Sequence, residues 1–186
     1  AACTTPAAAG LTVQSEIEEL REIRRGILQM LFVEGNHVCP ACEKSGACQL
    51  QAVAYYVGML APHYTHFYPR HPVDASHPEA VIDFNRCILC ELCVRASRDV
   101  DGKNVFAIQG RGLQARLVVN TPSGQLGATS FSIDDKAAQV CPTGTILIKH
   151  RGYETPIGQR LYDRKPISMV GDVAQVPESQ GGRCHD

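Results

Sequence analysis

Apolar residues recur at helical spacing across residues 15–35 (SEIEELREIRRGILQMLFVEG), where Ile17, Leu20, Ile23, Ile27, Leu28 and Leu31 predict an amphipathic helix. Ser15 and Glu18 have the spacing of a capping box, and Gly35 is placed to stop the helix. Glu18/Arg21 and Glu22/Arg25 read as weak pairs on a solvated face. A second helix is expected over residues 49–60 (QLQAVAYYVGML), with Tyr55, Tyr56 and Met59 packing. Residues 62–80 then carry four prolines and four histidines (His63, His66, His71, His77) and predict an extended connector of ordinary loop residues. Farther on, residues 105–108, 117–119 and 146–148 read as short strands and 134–140 as a short helix. From Arg151 the chain is rich in Gly, Pro and charge without periodicity, so residues 151–186 are expected to be an extended tail lying on something else.

The expected architecture is α+β: a small helical module at 15–61, a linker at 62–80 and a second small domain at 81–150. With 186 residues, 44% hydrophobic and 20% charged, the chain has the balance of one or two soluble domains. A net charge of -1 supplies no field for nucleic acid. Its longest dense apolar stretch, 27–33, falls far short of the roughly 20 residues of a spanning helix, so a membrane-spanning chain is not expected.

The nine cysteines redirect the reading from packing to metal chemistry. Six fall in two tight clusters, Cys39/Cys42/Cys48 and Cys87/Cys90/Cys93, whose members are too close in sequence for natural disulfide pairing but well spaced to converge on a metal centre. Reduced thiolates imply a reducing compartment, most simply the cytoplasm. Cys87-Ile-Leu-Cys90-Glu-Leu-Cys93, followed by Cys141-Pro142, carries half of the two-run ferredoxin scheme, with Ser97 where the fourth cysteine of the first run would stand. One complete 4Fe-4S cluster on Cys87, Cys90, Cys93 and Cys141 follows. Structural zinc is the competing reading, although zinc sites usually pair two C-x2-C knuckles. The first set supplies only three thiols, and His37, two residues before Cys39, is the nearest neutral donor for a fourth ligand; as an alternative it is a structural loop residue. A histidine in place of a thiolate removes one negative charge and raises the cluster's potential. Cys184 reads as a free surface thiol. Gly110-Arg111-Gly112 is too short for a dinucleotide fingerprint, and no nucleophile, carboxylate pair or phosphate loop accompanies the cysteines, so electron transfer without catalysis is expected.

The stretches FVEGNHVCPACEKSGACQLQA, DFNRCILCELCVRASRDV and QVCPTGTI resemble the iron-sulfur diaphorase subunit of cytoplasmic NAD-reducing (bidirectional) nickel-iron hydrogenases, over residues 1 to about 160. Related arrangements occur in the large iron-sulfur subunit of complex I, in NAD-dependent formate dehydrogenases and in iron-only hydrogenases. The resemblance implies a His/Cys-ligated 4Fe-4S module followed by a ferredoxin-like 4Fe-4S domain. It also implies a non-catalytic relay between a flavin/NAD-binding diaphorase subunit and the hydrogenase small and large subunits. An equivalent relay in a formate dehydrogenase or a complex I-like NADH dehydrogenase is the alternative, and a zinc-stabilised structural module the second. In much of the wider group the ligating histidine lies four residues before the first cysteine, where this chain has Gly35; the G-N-H-x-C form is similar to the hydrogenase branch and some formate dehydrogenases. Residues 1–14 resemble the end of a 2Fe-2S ferredoxin domain, and Cys3 alone is expected to hold no 2Fe-2S cluster, which needs four ligands.

Overall fold

The computed structural model describes residues 4–173, and side chains as far as residue 170. Helix α1 (Glu18–Glu34) begins later than the capping-box spacing predicts. Ile17 is its N-cap, with no side-chain cap. The carboxylate of Glu16 instead reaches over the first turn to Arg21 and Arg24 at 3.4 and 3.0 Å, while Glu18 faces Arg25 rather than Arg21. The buried face is also rotated from the predicted one. Leu28, Gln29, Phe32 and Val33 are buried, whereas Ile23 and Ile27 are about half exposed. Buried Gln29 is satisfied because its Oε1 accepts the His63 N–H at 2.8 Å.

Helix α2 (Gln49–Tyr56) is four residues shorter than expected, and Gly58 explains why. Its φ of 76° is open to glycine, and the Gly58 and Met59 amides fold back onto the carbonyls of Tyr55 and Ala54 at 3.1 and 2.8 Å. This is the Schellman closure, and it tucks Met59 under the helix it ends. Tyr55, expected to pack, is 58% exposed. Helices α1 and α2 enclose a core of only six buried residues: Leu28, Phe32, Leu50, Ala54, Val57 and Met59.

Strand β1 (Val73–Asp74) lies within the segment read as a connector and pairs antiparallel with β2 (Ala80–Asp83), Val73 opposite Asp83. His77, in the same segment, is buried and bonded at both nitrogens. Its Nε2 is 3.1 Å from the Phe131 carbonyl and its Nδ1 accepts the Glu79 amide at 3.1 Å, which selects the neutral tautomer with the proton on Nε2. After β2 come α3 (Leu92–Arg95), which runs on into a π-type turn over Ala96–Val100, and the hairpin β3 (Phe106–Gln109) to β4 (Arg116–Val119). Helix α4 (Lys136–Gln139) has its first amides capped by the Asp101 carboxylate at 2.8 and 3.0 Å. Strand β5 (Ile146–Ile148) then closes the sheet β1-β2-β5. Phe106, Ile82, Leu126 and Ala137 centre the second core. Residues 151–173 are not an extended tail: they include α5 (Leu161–Arg164) and α6 (Ile167–Val173).

Ser97, at the position of the missing ferredoxin cysteine, is buried, and its Oγ accepts the Val105 amide at 2.8 Å. Its carbonyl accepts from Lys103 and Asn104. The hydroxyl therefore ties α3 to the start of the hairpin. Replacing Ser97 with Ala orphans the buried Val105 amide and should lower unfolding stability by about 1–3 kcal/mol; an unchanged chemical-denaturation midpoint would contradict this.

Candidate metal centres

His37, Cys39, Cys42 and Cys48 line one cavity, together with Phe32, Leu50, Arg86 and Gly144. About 340 Å³ of space there is free of protein atoms, part of it open to solvent. Three local devices build the loop. Cys39–Ala41 form a single 3-10 turn with Pro40 as its second residue, and Cys42, Ser45 and Ala47 donate short-range backbone bonds to Cys39, Cys42 and Lys44. Gln51, one turn into α2, accepts the Gly46 amide on its side-chain oxygen at 2.8 Å and donates to Ser45 Oγ at 3.2 Å. Cys48 is the N-cap of α2. The C-terminal segment covers this loop: Tyr153 donates to the Ala41 carbonyl at 2.9 Å, Arg160 to Ser45 at 3.0 Å and the Tyr162 amide to Gly46 at 2.8 Å.

His37 is the telling member of this set. Its Nε2 is buried and, among the described side chains, is the one buried nitrogen or oxygen left without a hydrogen-bond partner. Burial, followed by the Arg86 and His66 charges, pushes its pKa down to about 4. The ring is therefore neutral at pH 7, with a lone pair available to a metal. Gly35 does not end α1 in the left-handed conformation its position suggested; its φ is -102°. Its role is to leave room, because a Cβ there would lie 2.5 Å from His37 Nε2 and 2.9 Å from the Asn85 carbonyl. The ring thus occupies the space into which a side chain at position 35 would grow.

Cys87, Cys90, Cys93 and Cys141 line a second cavity of about 340 Å³, partly open, with Ile108, Leu117 and Ile146 on its apolar side. The loop bends around it through two left-handed residues that are not glycine, Leu89 (φ 54°) and Glu91 (φ 60°). Such conformations cost roughly 1–3 kcal/mol each and cluster at functional sites. Here they turn the Leu89 amide to within 3.4 Å of Cys87 Sγ. Burial pushes the Cys87 thiol up to about 11 and Cys93 up to about 12, and raises Cys39, Cys48 and Cys90 as well. A bound metal cation would oppose this shift, because metal ligation releases the thiol proton. All seven described cysteines are free thiols; Cys3 and Cys184 lie outside the described residues.

The two sets share a seam. The amide of Gln49, next to Cys48, donates to the carbonyl of Pro142, next to Cys141, at 2.9 Å, and the Asn36 amide donates to Asn85 at 2.8 Å. Arg86, directly before Cys87, extends its guanidinium to within 3.6 Å of Cys42 Sγ. The sequence reading passed over this residue; its place beside Cys87 is the one local signal it offers.

Residues 24–63 match the NADH-ubiquinone oxidoreductase-G iron-sulfur binding region, and residues 81–148 match the 4Fe-4S single cluster domain. Over 168 residues the chain is 40% identical to the NAD-reducing hydrogenase HoxS subunit gamma of Cupriavidus necator, covering 90% of this chain and 71% of that subunit. The chain belongs to the iron-sulfur gamma-subunit family of NAD-reducing hydrogenases. A crystal structure of NAD+-reducing NiFe hydrogenase in the H2-reduced state superposes with a TM-score of 0.85 at 52% identity, over 89% of this chain and 70% of that one. The NADH-quinone oxidoreductase subunit 3 of Thermus thermophilus is 31% identical over 79% of this chain, but only 20% of that longer protein is matched. The family fits both parts of the fold, a helical iron-sulfur region and a 4Fe-4S domain that carry electrons. No helix among the described residues is long and apolar enough to cross a membrane.

Because Gly35 makes room for the His37 ring, Gly35→Ala should displace the imidazole. Iron analysis of the purified variant is expected to show the first centre depleted and the second retained; full iron occupancy would refute the spatial role assigned to Gly35.

Proposed function

We propose that the chain relays single electrons through two 4Fe-4S clusters, one on His37, Cys39, Cys42 and Cys48 and one on Cys87, Cys90, Cys93 and Cys141. The observation that carries this reading is the pair of cavities, each lined by four potential ligands, one of them holding a buried histidine nitrogen with no other partner. When bound, such clusters supply one-electron carriers. Phe32 and Leu50 in one cavity, and Ile108, Leu117 and Ile146 in the other, give each ligand set an apolar wall. The Leu89 amide supplies a hydrogen bond to Cys87 Sγ.

Zinc fits less well. Zinc sites usually pair two C-x2-C knuckles, whereas this chain carries a Cys87-x2-Cys90-x2-Cys93 run with a remote Cys141-Pro142. Four ligands spread around a cavity suit a polynuclear cluster better.

The electrons would pass between an NAD(H)-reactive flavin subunit and the small and large subunits of a nickel-iron hydrogenase, for the overall reaction H2 + NAD+ to NADH + H+. The 40% and 52% identities to hydrogenase subunits support this over a formate dehydrogenase or complex I-like assembly. A cytoplasmic setting would keep the thiols reduced for assembly. Cys3, a single thiol, would hold no 2Fe-2S cluster by itself. Anaerobic purification of the chain should yield iron and acid-labile sulfide at about eight each, and the native complex should bring with it a flavin-containing and a nickel-containing subunit. Zinc in place of iron would overturn the cluster assignment, and partners lacking nickel the hydrogenase assignment.

A further inference from the structure

We infer that Arg86 is a positioning residue that raises the reduction potential of the first centre by donating a charged hydrogen bond to Cys42 Sγ, with Glu43 opposing it. This rests on the two-cluster reading above. The guanidinium is held from several directions: Nε lies 2.8 Å from Asp83 Oδ2, and Nη1 lies 2.8 Å from Glu43 Oε2 and 3.4 Å from the Gly144 carbonyl. From that anchorage Nη1 reaches Cys42 Sγ at 3.6 Å. The side chain is only 19% exposed, so solvent screens its charge weakly. Gly144 keeps the approach open, since a Cβ there would stand 3.1 Å from Nη1 and 3.2 Å from Cys42 Sγ.

Adding an electron makes a cluster more negative, and a cationic N–H donor on a ligating sulfur stabilises that reduced form. The neutral His37 ligand acts in the same direction. Glu43 has the opposite effect: its Oε2 lies 2.8 Å from the same Nη1 and sets a carboxylate against the Arg86 charge. Arg86 also begins the second ligand run, and its carbonyl accepts from Thr143 Oγ1 at 2.9 Å, two residues past Cys141. One residue therefore links the backbone of one site to a ligand sulfur of the other.

A mere structural brace and a potential-setting residue differ in sign. Redox-monitored EPR on the native complex follows the signal whose g-values change in His37→Cys, which identifies the first centre. Arg86→Gln should make that centre at least tenfold harder to reduce, a downward shift of about 59 mV for a one-electron couple. Glu43→Gln retains the Arg86–Cys42 contact, removes the opposing charge and should shift the midpoint upward. Should Arg86→Gln lose the cluster, Glu43→Gln alone decides. An upward shift supports the inference, and no shift or a downward one overturns it. An unmoved midpoint in Arg86→Gln with iron intact also overturns it. Absence of any His37-dependent signal in the unmodified complex would instead sink the two-cluster reading itself.

Discussion

Each hydrophobic core among the described residues borders one of the two sets of thiols, and that constraint governs the rest of the structure. The first core has six buried residues, with Cys39 and Cys48 packed against it; the second is larger but borders Cys87, Cys93 and Cys141. A core of six residues is small for an independent module. A ligand that fastens loop to helix supplies the cross-links such a module lacks, as structural metals do elsewhere. Local features that look costly would serve this end: the left-handed Leu89 and Glu91, the bare Gly35 and Gly144, and a histidine nitrogen buried with nothing to bond.

Continuity between the two sites follows from short connections rather than from a large interface. Helix α2 starts at Cys48 and its first amide donates to the carbonyl of Pro142, the residue after Cys141, while Arg86 joins Cys87 in sequence and Cys42 in space. Such a seam ties the two candidate ligand sets to each other. The capping segment with Tyr153, Arg160 and Tyr162 secures the far side of the first loop.

The grouping of the cysteines was legible in the sequence because the C-x2-C-x2-C spacing is local, and the structure gathers each set around one cavity, with the remote Cys141 beside Cys87, Cys90 and Cys93. The strands at 106–109, 116–119 and 146–148 were legible for the same reason, as short apolar runs between turns. What escaped depends on partners distant in sequence. The rotation of α1 is decided by α2, Gln29 is buried because His63 needs an acceptor, and His77 is a core residue because the Phe131 carbonyl faces it. The order in 161–173 arises where that segment docks on the cysteine loop. Gly58 was a readable stop, but the helical pattern running through it to Leu60 masked it.

The central claim, that two quartets of side chains each enclose an iron-sulfur cluster, is tested most directly by crystallographic anomalous scattering at the iron edge. One strong peak is expected between His37, Cys39, Cys42 and Cys48 and another between Cys87, Cys90, Cys93 and Cys141. A missing peak at either quartet, or a signal that appears only at the zinc edge, would contradict it.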